Sequence, residues 1–235
     1  MSASAKKKMI IVLCSLVAAV AIVVASVTAT VAYLTSSAAV SNVFTVGTVG
    51  ITLTESKVNP DGVLVDGGVT QVDTNTYHLV PNKTYVKDPR ITVNPGSEDS
   101  YLFILVRNDI EAIADPNKPS IAKQLETNGW AKYTKASTGW VYVWVGADNV
   151  PEGDAQKTDA TLPFTATAQT VTPGTYTVFE KFSIAPNADV SHYGAAKITI
   201  TAVAIQDEGF NGSVDAAWAA VIATYPYIHT GNGQS

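Results

Sequence analysis

Three histidines, His78, His192 and His229, are the residues best suited to hold a catalytic metal, and their spacing decides whether they do. A helical zinc site needs two histidines about three to five residues apart, so that both imidazoles leave one helix face toward one ion. None of the three has such a neighbour, and no H-E-x-x-H run exists. His192 stands in a turn before a strand and His229 in a polar tail, so both read as solvated side chains. Nucleophilic chemistry lacks its parts as well. There is no G-x-S-x-G elbow and no Gly-rich phosphate loop, and the single cysteine, Cys14, lies in an apolar leader. Gly47 and Gly50 fall within a strand pattern, the wrong context for dinucleotide binding. Glu98-Asp99 and Asp207-Glu208 are adjacent acids, but neighbours in a strand or turn point apart and make poor acid–base partners. Asp61, Asp66 and Asp73 do not have the alternating spacing of a compact calcium loop. The expectation is a chain with no catalytic constellation, no cofactor and no metal.

The elements around these residues explain why. Lys6, Lys7 and Lys8 form a basic head, residues 9 to 25 are apolar, and small residues follow, which is the order of a secretory leader. Small-x-small cleavage patterns end at Ala29 and at Ala32 (Thr30-Val31-Ala32), with Ala25 a nearer option. The apolar stretch also approaches the ~20 residues of a membrane span, so an uncleaved anchor is the competing reading. In both cases the lysines stay inside and the domain is carried outside. Cys14 does not mark a lipoprotein, because Leu13 precedes it where a small residue is needed. A chain that loses residues 1 to 32 keeps 12 of its 15 basic residues against 20 acids, a net charge of about −8, and no cysteine. That balance argues against nucleic acid as a partner and confines membrane contact to the leader. About 200 residues then remain, enough for one domain whose core holds it without disulfides.

Residues 33 to 235 read as that domain. Val49, Ile51 and Leu53 alternate with Thr48, Gly50 and Thr52, the period of a strand with one buried face. Phe44 and Val46 lie on the opposite parity, which predicts a bulge at Gly47 within one continuous strand. Turns are predicted at residues 59 to 62 and 66 to 68, and two short strands over 77 to 94, broken at Pro81-Asn82. Residues 101 to 106 are apolar without alternation and belong at the centre of a sheet covered on both faces. Ser120 can cap a short helix over 121 to 126. In residues 141 to 145 three valines oppose Tyr142 and Trp144; the aromatic face packs a second core or, in the alternative, displays a sugar-binding strip. Residues 148 to 159 read as a hairpin loop. Strands are expected over 162 to 165, 169 to 172, 176 to 185 and 197 to 205, with a turn at Pro173-Gly174. Ser213 can cap a last helix whose stripe is Val214, Trp218 and Ile222. The predicted fold is all-β: a jelly-roll-like antiparallel β-sandwich with one or two short helices, preceded by the leader helix. The polar tail after Tyr227 holds no LPxTG sequence, so covalent wall anchoring is not indicated.

Several of these stretches together resemble the TasA/camelysin family of exported Gram-positive proteins. The first is Ala32-Tyr33 followed by N-x-F-T-x-G-x-V-x-I from Asn42. The others are P-N-K-T-Y-V-K-D-P-R-I-T-V from Pro81, Y-L-F-I-L-V-R-N from Tyr101, and A-I-Q-D-E-G-F from Ala204 with Ala217-Trp218. The resemblance spreads along about half the chain and implies cleavage between Ala32 and Tyr33 by a dedicated ER-type signal peptidase. It also implies a role as the subunit of an extracellular biofilm-matrix or cell-surface fibre. The camelysin side of the family implies a surface metallopeptidase as an alternative, against which the histidine spacing stands. A monomeric surface adhesin or glycan-binding module resting on Tyr142 and Trp144 is the other alternative.

Between Lys8 and Glu55 there is no Asp, Glu, Lys or Arg. Residues 33 to 46 are therefore expected to act as a donor strand. Held at the membrane they are harmless; cut free, they can add to the sheet edge of the next copy, with Leu34, Val40, Val43, Phe44 and Val46 entering pockets. The competing expectation is an ordinary first strand folded on its own domain. The partners expected are further copies of the chain, the signal peptidase and an accessory anchor protein.

Overall fold

The computed structural model describes residues 35–39, 42–43, 45–46, 49–150, 164 and 166–230. The stretch read as a leader, the expected cleavage site, Leu34, Val40, Phe44, most of the expected 148–159 loop and most of the strand expected over 162 to 165 lie outside the described residues.

In chain order the strands are β1 (Thr35–Ala39), β2 (Asn42–Val43), β3 (Thr45–Val46), β4 (Val49–Ser56), β5 (Gln71–Val72), β6 (Thr84–Val86), β7 (Arg90–Val93) and β8 (Ser100–Asn108). After the helix α1 (Ile121–Thr127) come β9 (Trp130–Lys135), β10 (Trp140–Trp144), β11 (Gly174–Thr177), β12 (Lys181–Ser183) and β13 (Ile198–Gln206). The chain closes with α2 (Val214–Thr224) and the short α3 (Tyr227–Thr230). The fold is mostly β, and every strand pairing is antiparallel. One sheet runs β2-β1-β13-β8-β10-β9, the second β11-β7-β4-β3 with β5 also on β4, and β12 pairs β6 apart from both.

The unbroken apolar run of β8 has the cause expected of it. Leu102, Ile104 and Val106 enter one core, and Tyr101, Phe103 and Leu105 another. On the first side the six-stranded sheet meets Val49, Ile51 and Leu53 of β4 and Ile91 and Val93 of β7. On the other side it is covered by Val214, Ala217, Trp218 and Val221 of α2, together with Ile228. The centre strand thus buries both faces, each large side chain adding about 1.5–3 kcal/mol of transfer free energy.

The helices start where their caps predict. Ser120 Oγ accepts from the Lys123 N–H at 3.1 Å, and Ser213 Oγ from Ala216 N–H at 3.2 Å. The packed stripe of α2 uses Ala217 and Val221, while Ile222 is only half-buried. Gly139, in the β9–β10 turn, lies against β8 so closely that a Cβ would stand 2.1 Å from the Val106 carbonyl oxygen.

Other expectations are corrected. Val46 pairs with Val49 and Thr45 with Gly50, so the parity change at Gly47 is a reversal of the chain between two strands, not a bulge within one. A two-residue hairpin and a bulge both shift in/out parity, and sequence periodicity does not distinguish them. Residues 77 to 80 are not a strand. The break between the next two strands falls at Lys87–Pro89, and Pro81-Asn82 is a turn with Asn82 at φ 60°. Residues 176 to 185 divide into β11 and β12; Gly174 begins β11 instead of making a turn, and Val171 makes a single bridge to Ser100 in place of a strand. Trp130 and Tyr133 belong to β9, a strand the sequence reading did not separate from the approach to β10.

Candidate functional site

The described part of the segment expected to act as a donor lies beside β13. β1 pairs antiparallel with it over five residues, from Thr35 opposite Ile205 to Ala39 opposite Thr201. On its far side, among the described residues, β1 pairs with the two residues of β2, with Ala38 opposite Val43 and Ala39 opposite Asn42. Among the candidate assembly residues, Val43 lies in β2 and Val46 in β3, while Leu34, Val40 and Phe44 fall outside the described residues. The strand read as a donor is thus folded onto its own sheet in the isolated chain. The seat is well made. Ala202, Val203 and Ala204 are fully buried, and β13 hydrogen-bonds β8 along its other edge over nine residue pairs. Without β1, β13 would present a row of unpaired N–H and C=O groups over a built core.

The residues suited to chemistry stay apart. His78 and His192 are exposed. Asp61 pairs with Lys83, and the Asp66 carboxylate caps its own turn by accepting from Val69 and Thr70 N–H. Among the described residues no group of three or more His, Cys, Asp or Glu side chains could hold a metal ion. The two acidic pairs do approach each other, since Asp207 N–H donates to the Asp99 carbonyl at 3.0 Å. Tyr142 is 4% exposed in the first core, and Trp144 packs edge-on against Tyr176, so these rings are committed to packing.

A buried charged cluster was missed. Glu55 is 2% exposed and Lys87 and Asp88 are each 7% exposed, at the end of β4 and in the connection from β6 to β7. Lys87 Nζ donates to Glu55 Oε2 at 2.6 Å, and Asn75 Nδ2 donates to Glu55 Oε1 at 3.0 Å. Asp88 accepts from Ser56 twice, from N–H and from Oγ, each at 2.8 Å, and also from Arg90. Tyr77 stands over the cluster; its hydroxyl donates to the Val86 carbonyl at 3.0 Å and its ring sits edge-on to Tyr85 and Phe182. Lys87-Asp88-Pro89 was legible only as a strand start. Charge is ordinarily a surface signal, and nothing local shows that two acids and a lysine share one interior.

Burial, and then the charges of Glu55 and Asp88, push the Tyr77 phenol well above its ordinary value. Burial, and then the hydrogen bond to Asp215, do the same to Tyr133. A raised folded-state value contributes stability below the unfolded value near pH ~10 and loses it as pH rises further. The urea midpoint should therefore fall steeply above about pH 10, and Tyr77→Phe should make that fall shallower.

Among the described residues no helix is long and apolar enough to cross a membrane. Comparison of the chain with family models, with curated proteins and with solved structures returns no match.

Proposed function

We propose that this chain is an exported structural subunit that builds an extracellular matrix or cell-surface fibre by passing its first strand to a neighbouring copy. The observation that carries the reading is the placement of β1. It occupies a five-residue seat on β13, and among the described residues its other edge pairs with the two residues of β2. Ladder hydrogen bonds join main chain to main chain, so the same strand from another molecule would make the same bonds in the seat once the chain's own strand leaves it. Exchange that runs head to tail does not close, and it produces filaments.

The uncharged character of residues 9 to 54 supports the timing. While the leader holds the strand at the membrane it cannot reach a second copy; cleavage between Ala32 and Tyr33 releases it. The resemblance to the TasA/camelysin family supports the same role, a secreted location and a jelly-roll-like arrangement of the two sheets. Partners are then further copies, the signal peptidase and an accessory anchor protein.

Electron microscopy of the purified, N-terminally sequenced mature chain tests the proposal. Filaments are expected from the wild type. Phe44→Asp with Val46→Asp should give folded single particles. Single particles from the wild type with an intact Tyr33 end would overturn the reading, as would loss of the fold itself in the double variant.

A further inference from the structure

We propose that Lys87 and Asn75 become joined by an intramolecular amide bond, formed without a cofactor, with Glu55 carrying the protons. Three groups are needed for such a bond and the fold brings all three together: an amine, a carboxamide and a shielded acid touching both. Lys87 Nζ lies 2.6 Å from Glu55 Oε2, and Asn75 Nδ2 lies 3.0 Å from Glu55 Oε1, so nucleophile and leaving group sit on the two oxygens of one carboxylate. The side chains of Lys87 and Glu55 are only 9% and 3% exposed. Asn75 Oδ1 accepts the Val58 N–H at 2.9 Å, which places a fixed donor where negative charge grows as the amide is attacked. Asn75 Nδ2 also donates to the Ser56 carbonyl at 2.9 Å, which fixes the plane of the amide. The Tyr77 ring has its centroid 6.0 Å from Nζ and is itself held edge-on by the stacked Tyr85 and Phe182.

Each step balances. The reaction begins when one ammonium proton of Lys87 passes to the Glu55 carboxylate across their 2.6 Å hydrogen bond, which frees the electron pair on Nζ. The amine attacks Asn75 Cγ, forming the new C–N bond, and the carbonyl oxygen takes up charge against Val58 N–H. Glu55 accepts the surplus proton from the attacking nitrogen and delivers one to Nδ2. The C–Nδ2 bond breaks and ammonia leaves through the half-buried side of Asn75. No oxidant or reductant takes part. The product is an amide tying the loop after β5 to the strand connection beneath it, and the proposal does not depend on fibre formation.

Intact mass spectrometry of the denatured, purified chain, with its N-terminus sequenced, tests this. The mass should fall short of the sequence by one ammonia, and trypsin should yield residues 58–83 and 84–90 as one branched species. Lys87→Arg, which keeps the charge beside Glu55, and Glu55→Gln should each restore the full mass. Asparagine–glycine sites can also lose ammonia by cyclising, but that loss persists in Lys87→Arg. A wild-type mass equal to the sequence overturns the proposal whatever the variants do. So does a deficit that survives Lys87→Arg, or the absence of the branched peptide.

Discussion

A chain beginning after residue 46 should remain as single particles under conditions in which the chain beginning at Tyr33 forms filaments. A synthetic peptide of residues 33 to 46, added in excess, should raise its thermal midpoint without restoring filaments. The truncation removes the five residue pairs between β1 and β13 and leaves one edge of β13 open. Each restored ladder bond contributes about 0.5–1.5 kcal/mol net. Peptide at ~100 times its Kd adds about 2.7 kcal/mol to the stability of the folded form. The peptide fills the seat but carries no domain, so growth stops after one step. Filaments from the truncated chain would show that assembly uses another surface. A midpoint unmoved by the peptide would show that the seat does not take a strand in trans.

The second large effect concerns stability. Asp88→Ala should lower the urea midpoint markedly, with a loss on the order of 3 kcal/mol, because hydrogen bonds to a charged group contribute ~1.5–3 kcal/mol each. Asp88 holds Ser56 at both N–H and Oγ, and its removal leaves that buried N–H without an acceptor. The control is Asp61→Ala. Asp61 also pairs with a lysine, Lys83 at 2.6 Å, but its side chain is 59% exposed and the pair is solvated. Its midpoint should stay at the wild-type value. Equal losses in the two variants would mean that burial is not what distinguishes these carboxylates.

Both predictions turn on features of different legibility. β8 could be placed at the sheet centre from residues 101 to 106 alone, because a strand covered on both faces has no polar parity. The caps at Ser120 and Ser213 were equally plain, since a hydroxyl one position before an apolar helical pattern has a local role. The reversal between Val46 and Val49 was not legible, because hairpin and bulge leave the same trace in alternation. The split of residues 176 to 185 into β11 and β12 was hidden for a related reason. β11 pairs β7 and β12 pairs β6, and partners chosen across the chain decide where a strand ends.

The candidate sites divide in the same way. The residues themselves determined an uncharged run from 9 to 54, a basic head, scattered histidines and a β-rich pattern, since each depends only on residue type and near spacing. Tertiary structure alone decided that β1 sits on β13, with Thr35 opposite Ile205 and Ala39 opposite Thr201, because ladder hydrogen bonds join main chain to main chain and residue type does not name the partner strand. It alone decided that Glu55, Asn75 and Lys87 meet in one interior. Their meeting depends on how two strand ends and a loop close over the same core, a long-range packing outcome with no periodicity to announce it.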